Sequence, residues 1–215
     1  MILHVALWED QITAFCTLLE FPDFNVNVVN SRGGTLLLKA VIGNSVPLVR
    51  ALLQRPDLDV NHKLIHDTPA LHVAVDEDNK ELVCLLLADP RTDINSRGLH
   101  GMAALHIAAA QGLEPIASEL LSHKDVDVNI QSKNGDTPLH CAANAGLGEM
   151  VQLLIKDKRV DVNRKNNQGR SPWDYAVARS QHYAIAVLLD DKRVRARLKR
   201  GQFLLYVKVK YSDFL

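Results

Sequence analysis

The chain holds 215 residues, 47% of them apolar and only 5% aromatic, at zero formal net charge. A core of Ala, Leu and Val suits thin, closely stacked helices better than one globular centre. No apolar run approaches the roughly 18 residues of a membrane span, no signal peptide is visible, and three scattered cysteines, Cys16, Cys84 and Cys141, make a poor disulfide framework.

The chain is periodic. Asn27, Asn61, Asn95, Asn129 and Asn163 recur every 34 residues, each preceded by Val or Ile. Self-similarity at such a period marks a repeat array. Apolar residues three apart within each period mark one face of a helix, so every period reads as two short helices and an exposed turn. Residues 1–26 form a first repeat lacking its start: Leu3-His4-Val5-Ala6 lies inside a first helix, and Phe15 and Leu18 on a second. That start is expected of a fragment of a longer array. Residues 27–60 carry a tip glycine, Gly33, then Leu37 and Ala40, then Val49 and Leu52. Residues 61–94 repeat this with Asp67 at the tip, Leu71 and Ala74, then Val83 and Leu86. Residues 95–128 have Gly101, Leu105 and Ala108, then Ala117 and Leu120; residues 129–162 have Gly135, Leu139 and Ala142, then Val151 and Leu154. Gly112 and Gly146 are expected to end the first helices here, and Pro56 and Pro90 to stop the second helices of the two preceding repeats. Residues 163–191, with Gly169, Trp173, Ala176, Ile185 and Leu188, read as a terminal capping repeat. First helices begin at Thr-Pro or its equivalent, best seen at Thr137-Pro138 and Ser171-Pro172, because Pro tolerates the first helical position. Residues 192–215 form a basic tail with eight Lys or Arg and one Asp, against seventeen basic and twenty-four acidic residues in 1–191.

Thr137-Pro138-Leu139-His140-Cys141-Ala142-Ala143, followed by Gly146, Val151-Gln152-Leu153-Leu154 and Asp161-Val162-Asn163, closely resembles the ankyrin repeat. Ala104-Leu105-His106-Ile107-Ala108-Ala109 and Ala70-Leu71-His72-Val73-Ala74 resemble the same segment. The resemblance covers roughly residues 1–191. It implies an all-α solenoid of stacked helix-turn-helix pairs with β-hairpin-like turns. The chain departs from the family by one extra residue per period and by lacking the glycine before Asp-Val-Asn, where Asp89-Pro90-Arg91-Thr92 and Asp157-Lys158-Arg159-Val160 stand instead.

The histidines tempt as metal ligands, but an ion needs ligand nitrogens about 2.0–2.1 Å away, and equivalent atoms of neighbouring repeats sit roughly 10 Å apart, the spacing of packed helices. The resemblance implies instead that His72, His106 and His140 hydrogen-bond around the helix start. No metal, no cofactor and no catalytic set is expected, and no Gly-rich phosphate loop is present. The repeating Asn is expected to stabilise its turn; the resemblance also marks Asn61, Asn95, Asn129 and Asn163 as acceptors for an intracellular asparaginyl hydroxylase.

The resemblance places partner contacts on the turn tips and the exposed face of the first helices. By register these are Ile65, His66, Asp76 and Glu77 in 61–94, and Arg97, Leu99, His100 and Met102 in 95–128. Lys133 and Asn134 follow in 129–162, and Lys165, Arg170 and Arg179 in 163–191. Ile65, Leu99 and Met102 are expected to form an exposed apolar cluster, and the face to run from acidic to basic. The expected function is that of a protein–protein interaction scaffold with no small-molecule substrate, in an intracellular, cytoplasmic or nuclear setting. Two alternatives stand beside it: an interaction fragment of a larger enzyme, channel or signalling protein, and binding of nucleic acid or anionic membrane by the run Lys192 to Arg200.

Overall fold

The computed structural model describes residues 19, 21, 23–31, 33–63 and 67–198. It divides into two compact units, Met1–Leu99 and His100–Leu215. In the first, the described helices are α1 (Leu36–Ile42), α2 (Val46–Leu53), α3 (Ala70–Asp76) and α4 (Lys80–Ala88). In the second they are α5 (Ala104–Gln111), α6 (Glu114–Ser122), α7 (Pro138–Ala145), α8 (Gly148–Lys156), α9 (Pro172–Ala178), α10 (His182–Asp190) and α11 (Lys192–Arg195). The longest run only nine residues, and helices of that length are marginal alone in water. Stacking holds them. Within the first unit α1 packs on α3 and α2 on α4; within the second, α7 packs between α5 and α9, and α8 between α6 and α10.

The alternation of small and large side chains makes two layers. Ala40, Ala74, Ala108, Ala142 and Ala176 are buried on the first helices, and Leu52, Leu86, Leu120, Leu154 and Leu188 on the second. An alanine allows the first helices to approach closely, while a leucine fills the wider gap between second helices. Trp173 takes the leucine's place on α9 and is likewise buried. Among the described residues no strand forms; the turns are hairpin-like, with one isolated bridge between Lys63 and Pro69.

Side chains cap three of the first helices. Thr35, Thr137 and Ser171 accept hydrogen bonds from the N–H groups of Leu38, His140 and Asp174, which satisfies donors that the helix itself leaves open. Pro138 and Pro172 are first helical residues. Pro69 departs from the pattern, serving as the cap before Ala70. Gly112 and Gly146 end their helices at φ 73° and 75°. The same position in the other repeats is held by Asn44, Asp78 and Ser180 at φ 51°, 50° and 53°, a left-handed turn that the sequence alone did not reveal there.

The second helices differ from expectation. α2 ends at Leu53 and α4 at Ala88, before Pro56 and Pro90. But α6, α8 and α10 end in the same register, where Lys124, Lys158 and Lys192 replace the prolines. A proline is therefore not required for the stop. Nor do the repeat contacts end at Asp191: Lys192–Arg195 form α11 against α10, and Val194 is buried, so the first residues assigned to the basic tail are repeat structure.

Candidate functional site

Three of the hairpins close by the same bond. The N–H groups of Asn30, Ser132 and Asn166 donate to the carbonyls of Gly34, Asp136 and Arg170 at 2.9–3.0 Å. At the tips Gly33, Gly101, Gly135 and Gly169 have φ between 69° and 78°, and Asp67 adopts φ 60° at the same position. Gly135 is needed twice over, since a Cβ there would also lie 2.6 Å from the Asn167 backbone nitrogen. In the second unit successive hairpins are laced together: Lys133 N–H donates to the His100 carbonyl at 2.9 Å, and Asn167 N–H to the Asn134 carbonyl at 3.1 Å. The Asn167 side chain adds a bond to the Lys133 carbonyl at 2.9 Å.

The recurring asparagine ties the start of its repeat to the segment that follows the second helix, using both ends of its carboxamide. Asn129 Nδ2 donates to the Arg159 carbonyl at 2.7 Å, while its Oδ1 accepts from Asp161 N–H at 2.7 Å. Asn27 bridges Asp57 and Asp59 likewise, Asn61 bridges Arg91 and Asp93, and Asn163 Nδ2 reaches the Arg193 carbonyl. Asn95 is half-buried, its N–H bonded to the Asp93 carboxylate.

A second set of struts was missed by sequence reasoning. Arg91 is held by the Asp89 carboxylate and donates to the carbonyls of Leu53, Arg55 and Pro56 at 2.8–3.1 Å. Arg159, on Asp157, reaches Leu121 at 2.7 Å; Arg193, on Asp191, reaches Ile155 and Val160 at 2.8 and 2.9 Å. Arg55, on Asp57, reaches Leu19, Phe21 and Phe24. The arginine of one repeat thus caps the second-helix end of the repeat before it, taking the terminal carbonyls that a helix leaves open. The guanidinium beside each carboxylate holds Asp89, Asp157 and Asp191 below the usual range.

The histidines are structural links. His106 Nδ1 accepts from Ala103 N–H at 3.0 Å and Nε2 donates to the Asp136 carbonyl at 2.9 Å. His140 does the same with Thr137 N–H at 3.1 Å and the Arg170 carbonyl at 3.0 Å, and burial pulls its pKa down. At His72 the equivalent cap position is Pro69, which has no N–H to give, and the ring lies against Gly98. Among the described residues no three His, Cys, Asp or Glu are grouped to hold a metal ion. Burial pushes the Cys141 thiol up to about 12, and the thiolate is the reactive form.

Ile65 and His66 lie outside the described residues. In the first unit Asp76, Glu77, Arg97 and Leu99 are exposed. In the second, His100, Lys133, Asn134, Lys165, Arg170 and Arg179 are exposed, while Met102 is half-buried. The large apolar side chains left in water include Val29 and Ile42 as well as Leu99. Arg170 is held in place: its guanidinium lies 4.7 Å from the centre of the Tyr175 ring and bonds Gln168 Oε1.

The family model for ankyrin repeats (3 copies) matches residues 3–98 and 100–199. The solved structure described as EF0377, an ankyrin repeat protein, is similar at a TM-score of 0.80 and 25% identity, over 87% of this chain and 96% of that one. The search of curated proteins found no match.

Proposed function

Since this chain belongs to the ankyrin-repeat family, whose repeats are generally protein–protein interaction modules, we propose that it is a scaffold or adaptor that binds a partner protein through its hairpin tips and the exposed face of its first helices. The lacing of hairpin backbones is the observation that carries this reading. It fixes the spacing of exposed side chains before any partner arrives, and a preordered surface loses little entropy on binding. Binding by the basic tail is the less favoured reading, because Arg193 is already committed to the carbonyls of Ile155 and Val160.

The test compares three forms of the chain: intact, ended after Leu198, and carrying Arg97→Ala with Leu99→Ser. Ending at Leu198 rather than Asp191 keeps α11 intact. Affinity capture followed by hydrogen exchange on the captured complex is expected to show protection at hairpin tips and loss of the partner in the double variant alone. A partner lost on truncation and kept by the double variant would move function to residues 199–215.

A further inference from the structure

Among the described residues the Arg–Asp ion pairs gather at one place in the fold. Arg55, Arg91, Arg159 and Arg193 each pair with an aspartate two residues away, at the ends of the second helices. The hairpins of the second unit show the reverse. Residues 129–136 and 163–170 carry Lys133, Arg164, Lys165 and Arg170 against one carboxylate, Asp136. All four cations are exposed, and none forms an ion pair among the described residues. Asp136 does not answer them: its oxygens are turned onto Asn166 Nδ2 at 2.7 Å and the Tyr175 hydroxyl at 3.3 Å. Two of the cations are braced. Arg164 bonds Gln131 Oε1 at 3.1 Å across the hairpins, and Arg170 lies on Tyr175.

From this charge pattern we infer that the hairpin face of the second unit docks an acidic peptide segment of the partner, with carboxylates at every third residue. This rests on the partner-binding reading above and names the partner's chemistry. Neighbouring repeats lie roughly 10 Å apart. A polyproline II chain has three residues per turn and rises about 3.1 Å per residue. Carboxylates three apart therefore point the same way about 9 Å apart, so one meets Lys133 and the next meets Lys165 or Arg170. The exposed amides of Asn134 and Gln168 add polar contacts between the charges. A nucleic-acid strand fits the face less well. Strand binders stack bases on exposed aromatic rings, whereas here Trp173 is buried and Arg170 covers Tyr175.

The test uses the full chain and fluorescence anisotropy with three labelled probes: a peptide repeating Glu-Pro-Pro, a peptide of the same composition with its glutamates clustered, and a single-stranded oligonucleotide of equal charge. The periodic peptide is expected to bind at least about fivefold more tightly than the other two, weakening as salt rises. A variant with Lys133→Gln, Lys165→Gln and Arg170→Gln, shown by circular dichroism to stay folded, is expected to lose about tenfold in affinity for it. Failure of the periodic peptide to bind, equal or better binding of the clustered peptide or the oligonucleotide, or an unaffected triple variant would each overturn the inference. If the peptide fails while partner capture still depends on the hairpin tips, only the acidic identity falls. If capture is also independent of the tips, the broader reading falls with it.

Discussion

Asn129 shows why one residue type recurs at one position. Its carboxamide offers a donor and an acceptor on separate atoms a fixed distance apart, which fits the carbonyl of Arg159 and the N–H of Asp161 together; a Ser or Thr hydroxyl carries both on one oxygen. Asn129→Ala leaves two backbone groups without their partner and is expected to lower stability by about 1–3 kcal/mol, read from urea denaturation. That engagement also bears on the hydroxylation expected at Asn61, Asn95, Asn129 and Asn163, because at Asn61, Asn129 and Asn163 a modifying enzyme must reach side chains already bonded at one or both ends. Loss of the expected oxygen-atom mass increase on natively expressed protein would dismiss that modification. His140 carries a pH effect. Burial lowers its folded pKa, so its contribution to stability is complete above the ordinary value of about 6.5 and is lost as pH falls from there toward the folded value. Between neutral pH and that lower range, the urea midpoint of the intact protein is expected to drop more than that of His140→Gln. Cys141, with its thiol pushed up to about 12, is expected to resist alkylation at mildly basic pH until the chain is unfolded, as mass spectrometry would show.

At the level of the helix, much was legible and one device was not. The burial of Ala142, Leu154 and their equivalents followed from the spacing of apolar residues, and the tips from their glycines. The arginine struts were hidden because the motif inverts. Arg55 precedes Asp57, whereas Asp89 precedes Arg91, and His123-Lys124-Asp125 has no arginine. A pattern that changes order between repeats reads as variation until the side chains are seen to reach the same carbonyls. Prolines 56 and 90 drew the explanation of helix ends to themselves for that reason. Arg159→Lys tests the strut: a lysine has one charged nitrogen in place of a planar fork, so it is expected to restore little of the stability lost in Arg159→Ala, about 1–3 kcal/mol. Ser180 offers the opposite sign. Its φ of 53° strains an L-residue, so Ser180→Gly is expected to raise the urea midpoint slightly, by under about 1 kcal/mol.

Across the whole chain, stability in a repeat array is close to a sum of repeats and the interfaces between neighbours. The last interface is therefore as exposed to loss as any. A chain ended after Asp191 gives up the buried Val194, the Arg193 bonds and the carbonyl that Asn163 uses. It is expected to be less stable than one ended after Leu198 by about 3 kcal/mol. This boundary was obscured in the sequence because Arg193 stands in a run where six of nine residues are basic, and its repeat role was indistinguishable from its neighbours' charge. The surface proposed to face a partner was legible only as positions. Which cations there would remain unpaired depended on Asp136 turning toward Asn166 and Tyr175, a choice made by side chains 30 and 39 residues away.

The bridging asparagines tie the start of each period to its end at a constant offset. Asn129 finds its partners 30 and 32 residues downstream, within a 34-residue period. An in-frame duplication of one period between Asn129 and Asn163 recreates these junctions at whichever codon the crossover falls. The gene thus has no privileged breakpoint there: recombination between its own copies can lengthen or shorten the protein while every seam closes on the same bonds.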